Sequence, residues 1–321
     1  MSLTNEKIIK MYTRMVTARL LEEMLNEMFN EGMLHGTTHL GIGQEASGVA
    51  PCMTLMEGDK ITLTHRNHVG CVGIGMDVKK ILAEMFGKET GVCGGFGGSM
   101  HMVDYEKGNM FANGVVGGGL GIAVGAALKM KYKGEANIVI CFMGDGATNE
   151  GMFHEALNLA SIWKLPIIFF VENNGYAVSM PQYRSMNIRD IEKRAESYGM
   201  RSIIVDGNNA IDIYNMTFSA AQSVREGFGP MFIESKTYRI CGHSRSDIEQ
   251  LYRNQKEIDY WLAKCPIKRL EEYMLKNNIA KSEMLKEINT QIMDELKQAV
   301  LYAQNSLEPS LENIGKYVYA K

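Results

Sequence analysis

Residues 137–151 read NIVICFMGDGATNEG. The first seven are an apolar, β-rich run, the pattern of a buried strand. It ends in one carboxylate, Asp145, held between two glycines. A second run, PIIFFVEN (166–173), leads into VENNGY (171–176), with the amides Asn173 and Asn174 at its end. Between Gly146 and Asn173 lie 26 residues, enough for one crossover helix and one strand. Two adjacent parallel strands would then carry the carboxylate and the amides side by side at their carboxyl ends, where open parallel sheets bind ligands.

The same alternation continues downstream. Helix is expected over 148–163, 188–199 and 210–226, and strand over 202–207 (SIIVDG) and 230–239 (PMFIESKTYR). Upstream, Ile8, Met11, Tyr12, Met15, Leu20, Met24, Leu25 and Met28 recur at helical spacing over 5–30, with Gly32 just beyond. Helices are expected at 44–56 and at 77–88, the latter with Asp77 as N-cap, and KITLTHRNH (60–68) reads as β-rich before a polar loop. Residues 91–125 are dense in glycine, which argues against regular structure in their first part; from 117 the pattern turns helical. The expected class is α/β, a doubly wound parallel sheet over 1–265 with an N-terminal helix, followed by a helical extension over 266–321.

The totals narrow the function. The 321 residues are 45% hydrophobic and 22% charged, with a net charge of −3, so no basic nucleic-acid surface is indicated. The six cysteines show no CxxC or zinc spacing, which fits a reducing cytoplasm. The N-terminal stretch has no signal-like apolar core and no run approaches a membrane span, so a soluble, cytoplasmic chain is expected. The 24 methionines read as adaptable core filling. No repeat and no low-complexity segment occurs, and no GxGxxG joins a strand to a helix in the dinucleotide-binding manner.

A carboxylate, an amide oxygen and a turn carbonyl make an oxygen-only half-shell. Mg²⁺ favours such a shell when substrate phosphates complete it. A helix starting near Thr148 would aim its free N–H groups at the same phosphates. Taken alone, Gly-Asp-Gly is also an ordinary turn, and a nucleotide-binding module without catalysis would keep the same sheet.

The stretch GDGATNEGMFHEALNLASIWKLPIIFFVENNGY (144–176) resembles the thiamine diphosphate motif, a GDG followed after one crossover by NN. With HLGIGQEA (39–46), THRNH (64–68), GGSMHM (97–102), ANGVVG (112–117) and TYRICGHSRSD (237–247), the chain resembles the α subunit of the E1 component of 2-oxo-acid and acetoin dehydrogenase complexes. The resemblance implies a diphosphate-type domain binding thiamine diphosphate and Mg²⁺. Asp145, Asn174 and the Tyr176 carbonyl match metal ligands, and Gly146 and Ala147 lie under the diphosphate. Gly114 and Val116 match the aminopyrimidine contacts. His65, where many pyruvate members have Tyr, and Arg66 match a diphosphate-binding pair, joined by Arg239. His39, His68 and His243 match the catalytic set, whereas His101 and His154 read as structural.

The resemblance also implies partners. The glutamate that activates the aminopyrimidine comes from a separate β subunit in this family, so an α₂β₂ assembly inactive as α alone is expected, delivering to a lipoyl-bearing E2 component. EMFGKETG (84–91) and SMHMVD (99–104) look like acetoin-cleaving members; pyruvate is the alternative substrate. Ser244 matches a phosphorylated serine of mitochondrial relatives, but SDIEQLYR (246–253) departs from their pattern, and such control is not expected.

Overall fold

The computed structural model describes residues 3–247 and 249–317; Met1, Ser2, Ile248 of the 246–253 stretch and 318–321 of the C-terminal extension lie outside the described residues. Helix α1 (Asn5–Asn30) is capped by Thr4, whose Oγ1 accepts the Lys7 N–H at 3.3 Å. Helix α2 (Glu45–Val49) and a 3₁₀ turn (Cys52–Thr54) lead to strand β1 (Lys60–Leu63). Helices α3 (His68–Ile74) and α4 (Val78–Met85) precede β2 (Asn109–Ala112), and α5 (Gly118–Lys133) precedes β3 (Val139–Gly144). A 3₁₀ turn (Asp145–Asn149) and α6 (Gly151–Ile162) connect to β4 (Ile167–Asn173). A small antiparallel hairpin, β5 (Tyr176–Ala177) and β6 (Met180–Pro181), and two four-residue helices, α7 (Gln182–Ser185) and α8 (Lys193–Glu196), follow. Strand β7 (Arg201–Asp206), helix α9 (Ala210–Arg225) and strand β8 (Met231–Lys236) complete the sheet. Helices α10 (Gln255–Leu262), α11 (Pro266–Lys276) and α12 (Ser282–Asn305) lie beyond it.

The six-stranded sheet has the order β2-β1-β3-β4-β8-β7, and every pairing is parallel. Its central strands are apolar on both faces because helices cover both. Val139, Cys141 and Met143 pack with Leu120 and Ala123 of α5 and Phe153 of α6. Ile138, Ile140 and Phe142 fall on the other face, in one core with Met15 and Leu21 of α1, Leu270 of α11 and Leu296 of α12. The period-two alternation inside a continuous apolar run thus serves two separate cores.

Several expected elements differ. The helix expected over 44–56 stops at α2, because Pro51 has no N–H to continue the ladder. The helix expected over 188–199 is reduced to α8: the Glu192 N–H is drawn to Glu234 Oε2 at 2.9 Å, outside any helix ladder. The helix near Thr148 begins instead at Gly151. Thr148 Oγ1 bonds back to the Asp145 carbonyl at 2.7 Å, and Arg194 donates to the Thr148 carbonyl, so the turn stays 3₁₀. Strand β2, inside the glycine-dense region, has only four residues and gives too short a pattern to read.

Candidate active site

Strand β1 continues to β2 on one side, whereas β3 continues to β4 on the other. The crevice between the carboxyl ends of β1 and β3 is therefore a topological switch point, the place where an open α/β sheet binds ligands. A cavity of about 250 Å³ occupies it. Thr64, His65 and Arg66 enter from the end of β1, and Asp145, Gly146 and Ala147 from the end of β3. Asn174 and Tyr176 enter from the end of β4, Arg239 and His243 from the loop after β8. Val115, Val116 and the start of α5 form the remaining wall.

Asp145 is the decisive group. It is 2% exposed, and its Oδ2 has no hydrogen-bond partner. Burial pushes its pKa up to about 6, against the pull of nearby Arg239. An unpaired buried carboxylate oxygen at a cavity wall is the donor expected of a hard-cation site. Asn174 lines the same cavity with its amide already oriented: Nδ2 donates to Gln44 Oε1 at 3.1 Å, and Oδ1 accepts the Tyr176 N–H at 3.3 Å. The strand before it is pinned too, because Asn173 Nδ2 donates to buried Glu234 at 2.7 Å. Gly146 keeps the backbone narrow there; a Cβ would meet the Ala177 Cβ at 2.7 Å.

Two buried guanidiniums make the cavity positive. Arg239 donates to the Val178 carbonyl at 2.7 Å and to Tyr252 at 2.8 Å. Arg66 donates to the Leu40 and His243 carbonyls. Burial and the charge of Arg239 lower the pKa of Arg66 to about 10. A carboxylate awaiting a cation and two arginines awaiting an anion suit a metal-bridged polyphosphate.

The family model described as "Dehydrogenase E1 component" matches residues 12–312. The chain belongs to this E1 family. It is 40% identical over 319 residues to the α subunit of acetoin:2,6-dichlorophenolindophenol oxidoreductase of Bacillus subtilis (strain 168), covering 99% of this chain and 95% of that one. It is 38% identical to the pyruvate dehydrogenase E1 component subunit alpha of Porphyra purpurea, covering 99% and 94%, and 36% identical to that of Rickettsia bellii, covering 98% and 96%. It is an E1 α subunit, a component of a thiamine diphosphate-dependent oxidoreductase; the family uses thiamine diphosphate with Mg²⁺ and works with a β subunit and an E2 component.

The E1 α chain gathers three histidines at one edge of the cavity. The His39 and His65 rings are 4.5 Å apart, His39 and His243 4.9 Å, and His65 and His243 5.5 Å. Candidate ligand nitrogens from all three lie within 4.8 Å of one another, but Arg66 and Arg239 would oppose a divalent cation there. His65 and His243 line the cavity, and His39 stands behind them. Burial, reinforced by Arg66, lowers His39 to about 3, His65 to about 2 and His243 to about 4. The three are neutral imidazoles at pH 7.

This has a consequence for stability. In the unfolded chain these rings titrate near 6.5, so below that pH the unfolded state gains protons that the folded state refuses. Stability is complete above about 6.5 and is lost as pH falls toward the folded values. The expected result is that His39→Asn flattens the decline by up to ~1 kcal/mol per pH unit. Urea unfolding of both proteins at pH 7 and 5.5 measures it; an equal decline in the two overturns the assignment.

Three expected site residues are not among those lining the cavity: His39, which stands behind His65 and His243, His68, and Gly114. His68 does not reach the cavity. It is fully buried, with Nδ1 3.3 Å from Glu22 Oε2 and Nε2 3.0 Å from Ser99 Oγ, so both nitrogens are already engaged. In that position His68, expected as catalytic, ties α1, α3 and the 93–99 loop together. Gly114 is exposed and outside the cavity lining, while Val116 two residues on is part of it. Conversely, Gln44, Glu150 and Glu172 line the cavity unannounced. Glu172 pairs in register with Gly144, and burial pushes its pKa to about 7. Its signal was its place directly before the two asparagines.

Proposed function

We propose that this E1 α subunit, with a β subunit, binds thiamine diphosphate and Mg²⁺ in the switch-point cavity and cleaves acetoin, passing the acetyl unit to the lipoyl group of an E2 component. The observation carrying this reading is the buried Asp145 oxygen without a partner, facing a cavity that Asn174 shares and two arginines make positive. Asp145, Asn174 and the Tyr176 carbonyl would hold Mg²⁺, with Gly146 and Ala147 beneath the diphosphate and Val116 against the aminopyrimidine. Thiamine diphosphate, when bound, supplies a nucleophilic carbon that adds to carbonyls and stores the released electrons.

The chain's own groups do the rest. Arg66 and Arg239 offset the diphosphate charge and orient it. The neutral rings of His65 and His243 accept hydrogen bonds from a substrate hydroxyl and orient it; with the charge of Arg66 and Arg239 offset by a bound diphosphate, their basicity would rise toward taking its proton as the C–C bond of a hydroxyketone breaks. His39, packed against both, holds their ring planes. A histidine at position 65 favours acetoin over pyruvate; pyruvate is the second reading, supported by the pyruvate dehydrogenase relatives. Val115, Ile122, Leu128 and Tyr132 leave apolar surface exposed along α5 and the loop before it, which supports a subunit contact there.

The test is dye reduction by the reconstituted α–β pair with cofactor and Mg²⁺. Acetoin-dependent reduction at least about tenfold faster than pyruvate-dependent reduction is expected, with negligible turnover by α alone. Faster turnover of pyruvate would move the assignment to a pyruvate dehydrogenase, and full turnover by α alone would remove the half-site reading. Absence of magnesium-dependent cofactor binding by the pair would favour a module without catalysis.

A further inference from the structure

Gln44 is 1% exposed and lines the cavity, yet its Nε2 has no hydrogen-bond partner. Its other end is committed: Oε1 accepts from Asn174 Nδ2 at 3.1 Å. The backbone around it has little freedom. Gly43 has φ +96°, and a Cβ there would meet the Tyr238 carbonyl at 2.8 Å. The Gly43 N–H is taken by Glu45 Oε1 at 3.0 Å, and that oxygen also receives Arg19 Nε at 2.7 Å. Gln44 therefore presents a fixed amide, one half bonded and one half vacant.

The vacant donor shares its cavity with the vacant acceptor, Asp145 Oδ2, and the two do not satisfy each other. A buried donor and a buried acceptor left open in one cavity describe a ligand that brings both an anionic oxygen and a cation. We propose that Gln44 is a positioning and binding residue for a cation-bridged phosphate: its Nε2 donates to a phosphate oxygen, and its Oε1 fixes the Asn174 amide so that Oδ1 stays on the metal side. The second role matters because an asparagine amide ligates a cation only through oxygen, and without Gln44 only the 3.3 Å bond from the Tyr176 N–H opposes a turn of the nitrogen inward. The assignment rests on the reading of the cavity as a magnesium–diphosphate site.

The test uses the reconstituted α–β complex and calorimetric titration. Thiamine diphosphate is titrated at saturating Mg²⁺, and Mg²⁺ at saturating thiamine diphosphate. Wild-type complex that shows no magnesium-dependent binding defeats the cavity reading itself, whatever the variant does. Given wild-type binding, Gln44→Met, similar in volume but without either hydrogen bond, is expected to raise both midpoints about tenfold or more. The melting temperature of the cofactor-free complex should stay within about 3 °C of wild type. Wild-type midpoints in the variant overturn the proposal, as does a large loss of melting temperature with both midpoints unchanged. Should the methionine variant fail to fold, Gln44→Ala, which cannot overpack, is read by the same criteria.

Discussion

Asp145→Ala in the assembled enzyme is expected to lower turnover by two to three orders of magnitude while making the cofactor-free protein more stable. The first effect follows from its place. It is the only carboxylate of the strand-end turn that carries an oxygen with no partner into the cavity. Removing a fixed group that neutralises charge in a closed site costs on the order of 10²–10³ in rate. The second effect follows from its burial. The side chain faces an existing cavity, so truncation opens little new void, and it removes a desolvated carboxylate.

The pH dependence gives that second effect a signature. Burial raises the folded-state pKa from 3.8 to about 6. The folded state therefore holds a proton that the unfolded state has released, and the penalty for ionising it is full above about pH 6 and absent below about 4. Asp145→Ala should gain roughly 1–3 kcal/mol at pH 8 and nothing at pH 4. Chemical unfolding of wild type and variant at both pH values checks it. A variant less stable at pH 8, or one that keeps wild-type turnover, would contradict the role given to this carboxylate.

Glu84→Ala is the second large effect, and it acts on folding. The Glu84 side chain on α4 is 1% exposed and accepts four backbone N–H groups from the glycine-rich loop. Oε2 receives Cys93 and Gly95 at 2.7 and 2.9 Å; Oε1 receives Gly97 and Gly98 at 2.7 and 3.0 Å. Only glycines can wrap a carboxylate so tightly here: Gly94, Gly95 and Gly98 have φ of +68°, +82° and +60°. The loop then delivers Ser99, whose carbonyl accepts Asn67 Nδ2 at 2.9 Å and whose Oγ meets His68, both directly after the cavity residues His65 and Arg66. Losing the carboxylate strands four donors at once and should cost about 3–5 kcal/mol. Thermal unfolding should fall by roughly 5–15 °C, and hydrogen exchange should speed up at residues 93–98. A loss under about 2 °C would show that water replaces the carboxylate.

The glycine-dense region shows where reading the chain alone stopped. Its composition marked residues 94–98 as irregular, and they are. Composition could not say that a glutamate ten residues earlier organises them, since a carboxylate on an amphipathic helix ordinarily faces water. The same limit explains His68. In THRNH the two histidines are equivalent as letters. One follows β1 into the cavity; the other opens α3 and turns to Glu22, more than forty residues away along the chain. Gln44 stood inside a stretch that identified the family, yet nothing local distinguished its amide from any other.

By itself the sequence determined the parallel two-faced sheet, the crossover lengths and the meeting of Asp145 with Asn174 at neighbouring strand ends. Those features follow from periodicities and loop lengths, which are local. Only the tertiary structure decided which histidines face the cavity, which amide and carboxylate are left without partners, and what braces the glycine loop. These depend on contacts between residues far apart in the chain, and burial at those contacts sets whether a polar group is satisfied, charged or open to a ligand.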